Sequence, residues 1–274
     1  KAFLKVGILT EDGLLADSTA GTPQDGILSP LLANVALSVL DEHIAGLPGG
    51  PATGSVERAR RLRHGQPNFR LVRYADDWCL MVRGTRAHAE ALQEDIAAVL
   101  ATMGLRLAPD KTLITHIDEG LDFLGWRIQR RRKRGTSCSY VYVHPSTKSV
   151  LAVKRKIKTL RRTVEPSQPL DDLLRRINAT LQGWAGYFRA GVSSATFSYL
   201  SHYTWQTVWR WLRRKHRKST WKDLRRQYCG GGWWPATEDR VLIDLEKIGT
   251  TRYRYRGAVI PSPWPTDEED TTAA

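Results

Sequence analysis

The stretch that decides the fold is residues 69–82, which read FRLVRYADDWCLMV. Two runs of β-forming residues, Phe69 to Tyr74 and Trp78 to Val82, lie on either side of a pair of adjacent carboxylates. This pattern predicts a tight β-hairpin with Asp76 and Asp77 at its tip.

The acidic pair has two interpretations. Aspartate is a common turn residue, so Asp76 and Asp77 taken alone are compatible with a solvated turn. Adjacent carboxylates also repel each other unless a cation lies beside them, and hard oxygen ligands suit Mg²⁺ that is completed by substrate phosphates. The second interpretation predicts a phosphoryl-transfer site, in which bound metal acts on the attacking and leaving oxygens.

A helix is predicted upstream, after the loop GTPQDGILSP of residues 21–30. Ser29 followed by Pro30 is typical of a helix start, with Ser29 as the N-cap. The loop can bring its backbone and the Gln24 amide close to a substrate, although it is equally compatible with a simple loop and cap. We expect one face of the helix to be buried, because apolar residues recur at helical spacing: Leu31, Leu32, Val35, Val39 and Leu40.

The chain after the hairpin predicts further elements of a mixed fold. Residues 85–103 predict an amphipathic helix that ends at Gly104. Residues 105–112 read LRLAPDKT, and residues 112–117 and 121–126 are predicted to form a second pair of strands. Residues 46–66 are rich in Gly, Pro and Arg, and we expect a mobile loop there that contacts nucleic acid.

Taken in order, these motifs resemble the second half of a reverse transcriptase palm: GTPQDG and SP, then YADD, PDKT and FLGW. The segment INATLQGWAGYF of residues 177–188 and the segment VWRWLRRKH of residues 208–216 resemble the thumb helices that are specific to maturases. The chain is therefore similar to the group II intron reverse transcriptase/maturases from about residue 21 to about residue 265.

The resemblance implies an α+β fold with three regions. A partial reverse-transcriptase palm, an antiparallel sheet with helices, is expected at residues 1–145, and an α-helical thumb/maturase domain at residues 146–229. A C-terminal extension with short strands and an acidic tail is expected at residues 230–274. The family's fingers and another metal-binding aspartate precede the GTPQ loop, so we expect an N-terminally incomplete polymerase. Asp25 stands where the family most often has glycine.

The resemblance also implies roles for individual residues. Asp76 and Asp77 would hold Mg²⁺ and act in catalysis, and Lys111 would supply a proton or a charge to the leaving phosphates. Lys111 is equally well interpreted as a surface lysine, and Phe123 as a core residue. The positions expected to bind substrate are Gln24, Gly26, Ser29, Tyr74, Phe123 and Gly125.

The positive charge is concentrated in one part of the chain. The formal net charge is +14, yet residues 127–226 alone hold 25 Lys plus Arg against 4 Asp plus Glu. Such a region predicts a polyanionic partner and binding that weakens steeply with salt. Aromatic residues lie among the charges, and they either stack on unpaired bases or pack the helical core. The expected RNA-binding residues are Arg130, Arg131, Arg132, Lys133, Arg134, Lys154, Arg155, Lys156, Arg213, Arg214 and Lys215.

Several classes are disfavoured by composition. The chain has no run of about 18 apolar residues that predicts a membrane span. Its three cysteines are far apart, so neither a disulfide framework nor a zinc pair is indicated, and free thiols suit a bacterial cytoplasm. The resemblance to the group II intron family implies an RNA-directed DNA polymerase and maturase that acts on group II intron RNA, a DNA primer and dNTPs. The alternative is a catalytically inactive RNA-binding remnant that assists intron folding and splicing.

Overall fold

The structure, a computed structural model, describes residues 8–9, 15–16, 29–132, 135–230 and 232–251. The fold is α+β, as predicted, and the chain divides into two compact units between Ile114 and Thr115. The predicted domain bounds at residues 145 and 229 stay a prediction, because a boundary between sequence families and a boundary in packing need not coincide.

The first unit contains the predicted acidic hairpin. Its strands pair antiparallel, with Asn68 opposite Arg83 and Tyr74 opposite Asp77, so the prediction is confirmed. The elements in chain order are β1 (Ile8–Leu9), β2 (Leu15–Ala16), α1 (Ser29–Gly46), α2 (Ser55–Arg63), β3 (Asn68–Tyr74), β4 (Asp77–Arg83) and α3 (Arg86–Thr102).

One face of the hairpin packs against helices α1 and α3. Side chains alternate across β3, so that Phe69, Leu71 and Arg73 point inward while Val72 and Tyr74 are exposed. This alternation places the last inward side chain, Arg73, directly beneath the acidic turn. The fully packed core residues of the unit are Leu40, Ile44, Phe69, Leu92, Ile96 and Leu100.

The prediction of a buried stripe along α1 is wrong for four of its five residues, since Leu31, Leu32, Val35 and Val39 are exposed and only Leu40 is buried. Leu40 and Ile44 are buried, whereas Leu31 and Val35 are exposed by 60% and 62%. Apolar spacing predicts which residues share a face of a helix, but it does not say how far the covering elements extend. Within the described residues, α3 and β3 cover only the later turns of α1.

The prediction of a mobile loop at residues 46–66 is wrong, because this segment contains helix α2. The sequence of α2, SVERARRLR, has only nine residues, of which six are polar, and it follows a stretch rich in Gly and Pro, so its apolar signal for a helix is weak. The segment is fixed to β3, since the Arg61 guanidinium donates to the Pro67 carbonyl at 3.1 and 3.3 Å and Asn68 donates to the Arg58 carbonyl.

The second unit combines a three-stranded antiparallel sheet with four helices in its described residues. The helices of this unit are interrupted near Pro166 and Gly191. The elements are β5 (Leu121–Phe123), β6 (Trp126–Arg132), β7 (Ser139–Pro145), α4 (Thr147–Thr163), α5 (Leu170–Phe188), α6 (Ser194–Lys215) and α7 (Trp221–Cys229). None of the helices among the described residues is long and apolar enough to cross a bilayer.

The predicted strand pair at residues 112–117 and 121–126 is wrong. Residues 112–117 form no strand, and the LDFLGW segment is itself a hairpin in which Phe123 pairs with Trp126. The turn residues Leu124 and Gly125 have φ of 49° and 78°. Two successive positive φ values are typical of the tightest hairpin turns, so the apolar run reverses direction where we expected it to continue.

The sheet packs on the helices through Trp126. Its ring lies 4.7 Å from the ring of Phe188 and 5.6 Å from that of Tyr187. A Cβ on Gly191 would lie 2.3 Å from the Trp126 ring, so glycine is required where the chain passes between α5 and α6. The helical core beyond this contact includes Ile157, Leu174, Ile177, Leu181, Leu200, Trp211 and Leu212.

The described part of the C-terminal region, residues 232–251, packs on α5 and α6. Leu242 and Leu245 are buried, and the Asn178 side chain donates to the Val241 carbonyl and accepts from the Ile243 amide. The short strands expected in the C-terminal extension are not found in its described part, where Val241 makes only an isolated bridge to Ala236. Residues 252–274, which include the predicted acidic tail, lie outside the described residues.

Candidate catalytic hairpin and nucleic-acid interface

The acidic pair lies at a two-residue turn, with Ala75 and Asp76 between the paired residues Tyr74 and Asp77. Ala75 has φ of 54°, a left-handed conformation that costs roughly 1–2 kcal/mol for a residue with a Cβ. Asp76 and Asp77 are both exposed, as is Tyr74 on the outer face of the hairpin. The two carboxylates are therefore presented to solvent on a sharply bent backbone.

Arg73 lies on the inner face behind the turn and connects it to α1. Its guanidinium contacts Asp41 with Nη2 at 2.5 Å and Nε at 3.1 Å, and Nη1 contacts the Asn34 side chain at 2.8 Å. Nη1 also donates to the carbonyl of Ala75 at 3.0 Å. The hydrogen bond to Asp41 raises the pKa of Arg73 above its ordinary value. Sequence reasoning missed this group, although period-two alternation would have placed Arg73 inward.

The turn offers two carboxylates to a divalent cation, which would need further ligands from elsewhere. Asp76 and Asp77 provide hard oxygens, which suit Mg²⁺ held by one or two carboxylates with substrate phosphates. No group of three or more His, Cys, Asp or Glu side chains that could hold a metal occurs in the described part of the chain. The pair therefore fits a cation that other ligands complete, and it does not form a closed metal cage.

Among the other predicted palm residues, the structure describes Ser29 and Lys111. Ser29 is the first residue of α1 and is half-exposed, while Gln24, Asp25 and Gly26 lie outside the described residues. Lys111 is exposed in a turn closed by its amide, which donates to the Ala108 carbonyl at 3.1 Å. No contact joins Lys111 to Asp76 or Asp77 among those of the described residues.

The FLGW turn is held by the helices of its own unit. The Tyr187 hydroxyl donates to the Leu124 carbonyl at 2.8 Å, and the Gly125 carbonyl accepts from the Ser146 amide and the Ser149 hydroxyl, both at 2.9 Å. A Cβ on Gly125 would lie 2.9 Å from the Ser149 hydroxyl. Glycine at this position thus accommodates helix α4, and Phe123 beside it is half-buried.

The basic hairpin between β6 and β7 uses part of its charge internally. Arg130 makes two hydrogen bonds to Asp118, at 2.6 and 2.8 Å, and this bonding lowers the pKa of Asp118. Arg131 donates to the Gln129 side chain, and Arg132 to the Thr136 carbonyl. Lys133 and Arg134 lie outside the described residues.

The basic residues of the helices fall into two groups. Lys154 lies 4.8 and 4.9 Å from the rings of Tyr203 and Tyr199, and Lys215 donates to the carbonyls of Pro166 and Gln168. These two side chains fix helices and loops to one another. The other four predicted positions are exposed: Arg155 and Lys156 on α4, and Arg213 and Arg214 on α6.

Comparison with known families gives two matches. The family described as "Reverse transcriptase (RNA-dependent DNA polymerase)" matches residues 15–128, which include the acidic hairpin and the FLGW turn. The family described as "Group II intron, maturase-specific domain" matches residues 150–229, which include most of the four helices.

Curated relatives agree with these matches. Protein YkfC of Escherichia coli K12 is 36% identical over 151 residues, which is 50% of this chain and 40% of YkfC. The group II intron-encoded protein LtrA of Lactococcus lactis subsp. cremoris is 29% identical over 218 residues, 64% of this chain and 34% of LtrA. A 91 kDa protein in the cob intron of Schizosaccharomyces pombe is 30% identical over 168 residues, 47% of this chain and 21% of that protein. The chain thus spans well under half the length of these relatives.

The family match that includes the YADD hairpin places the chain in the class of reverse transcriptases. The maturase-specific match on the basic helices restricts this class to the reverse transcriptases of group II introns. The chain belongs to the group II intron reverse transcriptase/maturase family.

Proposed function

We propose that this chain supplies the catalytic carboxylates and the RNA-binding helices of an RNA-directed DNA polymerase that is also an intron maturase. The observation that carries the proposal is the exposed pair of Asp76 and Asp77 at the hairpin turn, with the neighbouring Arg73 already paired to Asp41. Because Arg73 is occupied, the two carboxylates are available to a cation.

Asp76 and Asp77 would hold Mg²⁺, which when bound activates the primer 3′-hydroxyl and stabilises the leaving pyrophosphate. The Gln24 and Gly26 loop and the Ser29 end of α1 would bind the incoming dNTP. Lys111 would place a positive charge near the leaving phosphates. Tyr74 would contact the nucleotide through its exposed ring face, and Phe123 would contact the primer through its half-buried ring. The carbonyl of Gly125 already accepts hydrogen bonds from Ser146 and Ser149, so the predicted role of Gly125 in primer binding is not part of this proposal.

The basic helical unit would bind the phosphates of group II intron RNA. The exposed side chains of Arg155, Lys156, Arg213 and Arg214 are suited to this, because no internal partner holds them among the described contacts. The relatives YkfC and LtrA come from bacteria, which supports a bacterial protein, and the three free cysteines suit the reducing bacterial cytoplasm.

A second function is favoured by one observation. The exposed basic side chains of α4 and α6 can neutralise RNA phosphates whether or not the acidic pair is active. A maturase that binds and folds intron RNA without DNA synthesis would retain the basic helices and have no need of the acidic pair.

Asp76→Ala in the native full-length context of this chain separates the two functions. We expect primer extension with Mg²⁺ to be lost, while the affinity for intron RNA stays within about twofold, because the carboxylate does not belong to the basic unit. Glu94→Ala, which removes an exposed carboxylate from α3, is the matched control and should leave both activities unchanged. A variant Asp76→Ala that still extends primers would overturn the polymerase proposal.

A further inference from the structure

The guanidinium of Arg73 makes hydrogen bonds to two further groups besides its ion pair with Asp41. Its side chain is only 13% exposed, and it contacts Asp41 on one turn of α1 and Asn34 two turns earlier. The third partner is the carbonyl of Ala75, two residues along the chain and inside the acidic turn itself. One guanidinium therefore joins two points of a helix to the backbone beside Asp76.

The geometry depends on the planar fork of arginine. Nε and Nη2 contact Asp41 while Nη1 contacts both the Asn34 side chain and the Ala75 carbonyl. A lysine ammonium is a compact point charge and cannot reach these acceptors in one plane. The arrangement is thus specific to arginine, and charge alone would not reproduce it.

The same contacts affect conformation and charge at the turn. Ala75 has φ of 54°, which is unfavourable for a residue with a Cβ, and its carbonyl is held in place by Arg73. A guanidinium this close to Asp76 and Asp77 would itself attract their carboxylates and compete with a cation. Asp41 neutralises it instead, so the bonding directs the positive charge away from the acidic pair.

We propose that Arg73 is a positioning residue for the metal-binding turn, acting with Asn34 and Asp41. It holds the Ala75 backbone so that Asp76 and Asp77 present their carboxylates together to one cation. The inference rests on the proposed function of the acidic pair as a metal site. It adds that helix α1, which begins at the expected nucleotide loop, fixes the position of that site.

A direct test measures the binding of Mn²⁺, which like Mg²⁺ accepts carboxylate oxygens, by electron paramagnetic resonance on this chain. We expect Arg73→Lys and Asp41→Asn each to weaken Mn²⁺ binding about tenfold, as the loss of groups that orient metal ligands commonly does. Arg70→Lys is the matched control, because Arg70 lies on the exposed face of the same strand, and it should stay within about twofold.

The outcomes separate this inference from the proposed function. If Asp76→Ala abolishes Mn²⁺ binding while Arg73→Lys binds as tightly as the unmodified chain, the positioning role is wrong and the metal site stands. If Asp76→Ala leaves Mn²⁺ binding unchanged, both are wrong. Loss of binding in Arg73→Lys and Asp41→Asn, with Arg70→Lys unaffected, supports both.

A second measurement does not depend on metal. Amide hydrogen exchange at Ala75, Asp76 and Asp77 should become about tenfold faster in Arg73→Lys, because the turn loses its tether, while the amides of α3 keep their protection. Retained protection at α3 shows that the variant is folded. Unchanged exchange at the turn would overturn the proposal.

Discussion

Basic side chains in the helical unit differ in whether their charge is already used inside the protein. Lys154 lies between two tyrosine rings, Lys215 binds two carbonyls, and Arg130 is paired with Asp118. Arg155 and Lys156 on α4 are exposed to solvent. Because a paired or ring-bound cation must first break its internal contacts, the exposed residues should contribute more to RNA affinity than the others.

Asp118→Asn tests this distinction at one residue. The hydrogen bond from Arg130 lowers the pKa of Asp118, so the carboxylate is charged at neutral pH and the pairing is lost only as the pH falls through that lowered value. Removing the charge releases Arg130 for phosphate contact. We expect RNA affinity to rise and the slope of log K against log salt to steepen by about one phosphate contact.

Glu238→Gln is the control for Asp118→Asn, because it makes the same change in net charge at an exposed residue that has no ion pair among those described. Filter-binding titrations at several salt concentrations measure both variants. An equal gain in the two would mean that net charge, and not the release of Arg130, determines affinity.

At the scale of the elements, two close approaches join the sheet to the helices. The Trp126 ring packs over Gly191, and the FLGW turn accepts hydrogen bonds from Tyr187 and Ser149. These contacts involve residues distant in sequence, which is why neither could be found from local patterns.

Gly191→Ala should destabilise the helical unit by about 1–3 kcal/mol, because the new Cβ would meet the Trp126 ring at 2.3 Å and the Val143 carbonyl at 2.7 Å. Gly186→Ala is the matched control. A Cβ on Gly186 meets nothing within 4 Å, and alanine favours helix, so this variant should gain about 0.5–1 kcal/mol. Chemical denaturation measures both, and equal effects would contradict the packing described.

Tyr187→Phe should cost about 0.5–1.5 kcal/mol, since it removes the hydrogen bond to the Leu124 carbonyl while keeping the ring against Trp126. Tyr140→Phe, on an exposed tyrosine of β7, provides the comparison and should be neutral. Chemical denaturation measures the free energy of unfolding of both variants. A neutral Tyr187→Phe would show that the turn is held without this bond.

The sequence predicted elements whose signals are local. The acidic hairpin is predictable to within about one residue because β-forming runs enclose a turn, and the helical character of residues 146–229 is predictable from the thumb motifs. Helix α2 is missed because it is short, two-thirds polar and preceded by a stretch rich in Gly and Pro. The FLGW turn was missed because its positive φ values occur at Leu124, a residue type that gives no turn signal.

For the site, local patterns identified Asp76 and Asp77 but not Arg73. The acidic pair is recognisable because it lies between two β-forming runs in an ordered series of motifs that resembles a reverse transcriptase palm. The partners of Arg73 lie 32 and 39 residues away on α1, and only the packed structure brings them to the turn. Lys154 and Lys215 were predicted as RNA contacts from charge alone, which cannot reveal that tyrosine rings and carbonyls already surround them.

On the scale of the whole molecule, the functional charges of the two units have opposite sign. The first unit presents a pair of carboxylates on a hairpin, and the second carries the basic residues between 127 and 226. A polymerase needs both, since the carboxylates require a cation while the nucleic acid requires positive charge.

Replacing Arg155, Lys156 and Lys158 by glutamine should weaken RNA binding and lower the salt slope by about 2–3, in proportion to the number of phosphates that the protein no longer neutralises. The matched control replaces three exposed arginines of the first unit, Arg63, Arg83 and Arg106. Salt-dependent titrations on structured intron RNA compare the two triple variants. If the control lowers the slope as much, RNA is not bound mainly through α4.

The hydrogen-bonded FLGW turn determines where the gene can be divided. A polypeptide ending near residue 145 would retain strands β5 to β7 but lose Ser149, Tyr187 and the Phe188 ring against which Trp126 packs. A break between the codons for Ile114 and Thr115 keeps all of these partners on one polypeptide. Fragment complementation should therefore succeed from a break at this point and fail from one at residue 145.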